Sequence, residues 1–175
     1  MIKRNILIVL ITSLLSIGCE RDDICADSTS TTPRLRIEFY DIANTNELKS
    51  VPRLTAFGEG LDETSQSIVS NTNTNALSLP LRFDLEGVTT TTRYILRKDA
   101  NLDLDNDPAT SSNEDVIEIS YTPTFQYVSK ACGYKAVFND LSVTIISDSN
   151  NWALTEIINT STVENENEVH AFIYH

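Results

Sequence analysis

The chain has 175 residues and a formal net charge of −12, with 13 Lys and Arg against 25 Asp and Glu. No basic cluster interrupts that acidity, which excludes nucleic acid as an expected partner, since phosphate recognition rests on grouped Lys and Arg. The length suits one domain, and chains near this size bury roughly two-thirds of their unfolded surface.

In chain order, residues 1–18 read as a secretory leader. Lys3 and Arg4 supply a positive start, and residues 6–15 (ILIVLITSLL) form a nearly unbroken apolar run. A transmembrane helix needs about 20 apolar residues. A longer span would have to include Glu20, Arg21, Asp22 and Asp23, which are costly in hydrocarbon. Gly18 before Cys19 matches the small residue of a lipobox, although Leu15 stands one place further back than usual and Ser16 takes its position. The reading is a lipoprotein signal peptide over 1–18 and an acylated (diacylglycerol, palmitate) Cys19 held in a lipid bilayer. Ordinary cleavage with a free Cys19 thiol is the alternative. Loss of the leader takes away Lys3 and Arg4 and no acid, which moves the formal charge to −14.

Residues 19–33 form an acidic, Ser/Thr-rich tether, and a single β-sandwich domain is expected over 34–175. Alternation begins at once: Leu35, Ile37 and Phe39 fall on one face, Arg34, Arg36 and Glu38 on the other, which is a half-buried strand. A turn at 44–47 leads to a strand at 54–57, ended by Gly58-Glu59-Gly60. A Ser/Asn/Thr-rich loop up to Asn75 follows. Residues 76–83 (ALSLPLRF) alternate again, and Pro80 argues for an edge or a bulge. The strongest β signal so far is 88–96 (VTTTTRYIL), rich in β-branched and aromatic residues. After an acidic loop at 99–115 come a strand at 116–121 and a short piece at 125–128. Strands at 134–138 and 141–146 are joined by a bulge or tight turn at Asn139-Asp140, and strands at 152–158 and 169–174 finish the chain. No segment carries a sustained helical period. Seven to nine short strands imply an all-β antiparallel sandwich, immunoglobulin-like or transthyretin-like, with a small lipocalin-like barrel as the alternative.

Of the three cysteines, Cys19 is assigned to the anchor. Cys25 and Cys132 remain in an exported chain, and an even remainder in an oxidising compartment favours a disulfide. Two separate buried thiols are the alternative. The bridge would leave only the stretch from Cys19 to Cys25 between lipid and domain, about 20 Å at full extension.

Several segments together resemble a known group. They are the run from Cys19 to Cys25 (CERDDIC), Thr31-Thr32-Pro33, Leu79-Pro80-Leu81, residues 128–134 (VSKACGY) and Asn167-Glu168-Val169-His170. Their order is similar to a family of small uncharacterised lipoproteins of flavobacteria and related Bacteroidetes, built around a domain of unknown function. The resemblance implies a lipoprotein origin and a single domain, and it assigns no functional residue. Glu20, Asp22 and Asp23 resemble the acidic export signal of such lipoproteins. That implies an outer-membrane location, the cell surface being favoured over the periplasmic face. Asp27-Ser28-Thr29 resembles their O-glycosylation acceptor, with Ser28 as the modified residue.

Candidate chemistry is sparse. Asp103, Asp105 and Asp107, with Glu114 eleven residues after the first, have the spacing of a calcium loop. Pro108 stands where the turn glycine belongs, so a solvated acidic hairpin loop is the competing reading. His170 and His175 are five apart, which places them on opposite faces of a regular strand. They are expected at the surface or rim. Trp152, Tyr94, Tyr121, Tyr127 and Tyr134 would form an aromatic platform or, more in keeping with an all-β domain, pack in the core. No nucleophile elbow, phosphate loop, dinucleotide fingerprint or zinc spacing occurs. The expectation is therefore a non-enzymatic, membrane-anchored binding or accessory module without a required cofactor, whose partner is an envelope protein or glycan. The alternatives are a calcium-assisted carbohydrate-binding domain and, below it, a hydrolase using His170.

Overall fold

The computed structural model describes residues 24–26, 29, 31–100 and 111–175. Among the described residues there are nine strands: β1 (Leu35–Tyr40), β2 (Val51–Gly58), β3 (Val69–Thr74), β4 (Ala76–Leu79), β5 (Thr90–Lys98), β6 (Asn113–Ser129), β7 (Gly133–Ile146), β8 (Thr155–Ile158) and β9 (Ala171–Tyr174). A short helical turn, α1 (Glu63–Gln66), follows β2. Two sheets form a sandwich with no closed barrel, in the orders β4-β1-β9-β8 and β3-β2-β5-β6-β7.

Alternation explains the layers. In β1 every second residue is buried, starting with Leu35, and β6 follows the same rule through Asp115, Ile117, Ile119 and Tyr121. The inward sets meet in one core that holds Phe39, Leu54, Leu96, Tyr121, Phe138 and Ile173. Tyr121 and Phe138 meet edge to face at 5.1 Å, a favoured aromatic geometry. β1–β4, β2–β3, β2–β5, β5–β6 and β8–β9 pair antiparallel, whereas β1 and β9 pair in parallel, Ile37 to Tyr40 running alongside Ala171 to Tyr174. Parallel neighbours need a long connection, and nearly the whole fold lies between these two.

Pro80 ends β4, which is an edge strand as the proline suggests. Asp140 has φ of 54°, a left-handed kink within β7, which runs unbroken from Gly133 to Ile146 where two strands were expected. Three expectations are corrected. The polar stretch before Asn75 holds α1 and β3 rather than a bare loop. The pieces at 116–121 and 125–128 are one strand that runs through Pro123. Trp152 and Ala153 are core residues but precede β8, because Ala153 N–H donates to the Asp115 carboxylate at 2.7 Å instead of to a neighbouring strand.

The chain divides into two compact units. The larger comprises residues 30–126 and 135–175, the smaller residues 127–134 together with the segment up to Thr29. Within the smaller unit Cys25 and Cys132 form the expected disulfide, with Cα atoms 4.8 Å apart.

Candidate functional site

A groove of about 860 Å³ lies on the larger unit, within the size range of ligand sites. Sequence chemistry builds its walls. β2 ends at Gly58, where a Cβ would lie 2.8 Å from a Leu61 methyl, so glycine lets the loop fold back closely. Gly60, with φ of 81°, turns the chain into α1. The helix starts at Asp62, whose carboxylate accepts from Thr64 N–H at 2.9 Å, an N-cap that satisfies an otherwise orphaned donor. Those hydrogen bonds, from Thr64 first and then Ser65, lower the Asp62 pKa.

The opposite wall is the outward face of β5 and β6. Arg93 and Glu118 are direct cross-strand partners, and Arg93 Nη2 lies 2.7 Å from Glu118. Glu59 approaches the same guanidinium from the β2–α1 loop at 3.7 Å. Glu118, and then Glu59, raise the Arg93 pKa further. One turn of the ladder away the pattern repeats: Arg97 is opposite Glu114, bonds it from Nε at 2.6 Å, and reaches Glu63 of α1 from Nη1. Two Arg–Glu rungs, each with a second glutamate from the loop, thus hold the loop against the sheet.

The third wall, residues 80–82, is pinned by two phenols. Tyr94 donates to the Pro80 carbonyl, and burial pushes its pKa up to about 12. Tyr121 donates to the Arg82 carbonyl at 2.8 Å and meets the Thr92 hydroxyl at 2.6 Å. Leu81 and Tyr94 are buried beneath the groove, and Ile68 and Leu61 add apolar surface. The site therefore combines an apolar floor with charged and hydroxyl groups at fixed positions, the composition of a recognition surface.

The residues singled out from the sequence lie elsewhere. Cys19, Ser28, Asp103, Asp105 and Asp107 fall outside the described residues. Glu114, the described member of the calcium set, is engaged by Arg97. Among the described residues no group of three His, Cys, Asp or Glu side chains converges as a metal site. The histidines are not at the surface, which corrects the expectation. His170 is fully buried and His175 nearly so, because each flanks β9 and is held against β1 by a backbone bond, His170 N–H to the Arg36 carbonyl and His175 N–H to the Tyr40 carbonyl. His170 pairs with Arg36, giving N–H to its carbonyl and accepting the Arg36 N–H on Nδ1 at 2.9 Å. Burial lowers the pKa of both rings, with Glu168 partly offsetting this at His170 and the Lys49 backbone at His175. Neither ring lines the groove, so neither serves as a base there.

The aromatic set divides. Tyr94, Tyr121 and Trp152 are buried, whereas Tyr127 and Tyr134 are exposed. The groove charges Arg93, Glu59 and Glu118 were not singled out from the sequence. Arg93 and Glu118 occupy outward positions of readable strands, and only the pairing register brings them together.

The chain belongs to the family of unknown function DUF6452, whose model matches residues 53–175. No curated protein and no solved structure matches it.

Proposed function

We propose that this DUF6452 chain is an envelope lipoprotein whose sandwich is a non-enzymatic binding or accessory module. The leader 1–18 is removed and acylated Cys19 holds the protein on the outer membrane, with the cell surface favoured over the periplasmic face. The groove around Arg93 takes a segment of an envelope polymer or of a partner protein. The observation that carries the binding reading is the groove itself: about 860 Å³ with an apolar floor and the ordered triad Glu59–Arg93–Glu118 on its walls. Its charged groups Glu59, Arg93 and Glu118 are paired with one another, and neither histidine reaches it, which supports recognition over proton transfer or nucleophilic attack. The disulfide at Cys25 supports the anchored reading, since it ties the domain to a point six residues from Cys19.

The test is binding of the mature chain, made with Cys19→Ser, to peptidoglycan fragments, envelope polysaccharides and fractionated envelope proteins. A ligand should lose about tenfold or more in affinity, roughly 1.4 kcal/mol, with Arg93→Met or Glu118→Gln. Thermal stability should hardly change, because exposed ion pairs contribute at most about 1 kcal/mol. A ligand indifferent to both substitutions, or one that is chemically converted, would contradict the proposal.

A further inference from the structure

The smaller unit carries a surface that the groove does not explain. Tyr127 near the end of β6 and Tyr134 at the start of β7 flank the hairpin tip and are 59% and 68% exposed. They contact each other edge to face at 5.4 Å. Ile24, the residue before the disulfide, is 84% exposed. A cleft of about 440 Å³ in the same unit is lined by Ile24, Ala26, Tyr127 and Ala131 among others. Three large side chains of this kind, left in water on one small unit, form an apolar surface with a polar fringe of phenol groups. That is the profile of residues enriched at the boundary between lipid and water.

Chain length says what covers this surface. The disulfide fixes Cys25 to the hairpin tip, with 4.8 Å between the Cα atoms. From Cys19 to Cys25 the chain can span at most about 20 Å. A lipid-bearing Cys19 therefore keeps the tip within reach of the headgroup layer, whatever path residues 20–24 take.

We propose that the β6–β7 hairpin tip, through Ile24, Tyr127 and Tyr134, rests in the interface of the bilayer that holds Cys19, so that the protein touches its membrane at two points. This rests on the anchored reading above. Glu20, Asp22 and Asp23, which lie between Cys19 and Cys25 in the sequence, make a zwitterionic surface the fitting partner, since an anionic one would repel them.

The experiment separates the two readings. With Cys25 and Cys132 joined, Cys19 is the one remaining thiol of the mature chain. It can be coupled to a maleimide phospholipid in phosphatidylcholine vesicles whether or not a cell acylates it. A Tyr134→Trp substitution then reports from the tip, and lipids brominated along their acyl chains quench a tryptophan at the interface. Buried Trp152 of the unsubstituted chain supplies the baseline. Emission from the Tyr134→Trp protein should fall at least twofold more than that baseline. The extra quenching should weaken when Cys25 and Cys132 are both serine, with coupling still through Cys19, because the tether from lipid to tip is then longer. Quenching no greater than the baseline, on protein that floats with the vesicles, would overturn the proposal. Failure of Cys19 to acquire lipid in a cell would instead overturn the anchored reading.

Discussion

Cutting the disulfide should cost much less than its span suggests. Cys25 and Cys132 are 107 residues apart, and closing a loop of that length in the unfolded chain is worth up to about 4.7 kcal/mol in the chain-entropy model. The folded protein has already spent part of that entropy. Thr32 Oγ1 accepts the Ala136 N–H at 2.9 Å, so the two cysteines are already joined through a path of only about a dozen residues when the bridge is absent. Loop entropy scales as 1.5RT ln n, and the ratio of the two loop lengths leaves a net stabilisation of about 2 kcal/mol. For a chain of this size that is roughly 4–8 °C in Tm. The assay is thermal and urea denaturation of the Cys19→Ser chain against the same chain with Cys25→Ser and Cys132→Ser. Equal stability, or a loss near the full 4.7 kcal/mol, would refute the short-path argument.

Three other outcomes follow from buried and paired charges. Asp115 is fully buried and accepts the Ala153 N–H. Asp115→Ala should cost about 1–3 kcal/mol for the stranded donor and Asp115→Asn less, as urea titrations would show. His170 and His175 have pKa values lowered by burial from 6.5, so the unfolded chain takes up protons first. Their contribution to stability is complete above about pH 6.5 and is lost as pH falls through the folded values. Asp115, raised by burial from 3.8, acts oppositely and favours the fold as it protonates. Denaturation midpoints from pH 7 to 5 should therefore fall, with a shallower slope in His170→Asn. Glu114 is bound to Arg97, so Tm in EDTA and in millimolar calcium should agree within about 1 °C, and a clear rise with calcium would instead assign the loop around Asp103, Asp105 and Asp107 as a metal site.

What could be read from the sequence depended on burial of one face. β1 and β5 announce themselves by alternation, because the core demands apolar residues at every second position. β3 does not: its residues (VSNTNT) have little burial between Val69 and Thr74, and its pairing with β2 is broken by register shifts near Arg53 and Asn71, both at positive φ. An edge strand held mainly by backbone bonds and polar side chains, such as Asn73 accepting from Arg53 N–H and Thr55 from Asn71 N–H, leaves no hydrophobic period. The histidines were misplaced for a related reason. Two polar rings flanking β9 look like rim residues until long-range partners, Arg36 and Lys49, are known. The disulfide was legible from parity of the cysteines. The groove was not, since it depends on the Arg93–Glu118 register and on a loop folding back over Gly58.

The anchored reading underlies both the proposed function and the membrane contact of the hairpin tip. Its most direct test is intact-mass measurement of the protein extracted from the envelope of its own cell, with palmitate labelling beside it. The account predicts a chain that starts at Cys19, carries the added mass of diacylglycerol and acyl groups, and loses the label with Cys19→Ala. A chain that keeps residues 1–18, or one that starts near Cys19 with an unmodified thiol, would contradict it.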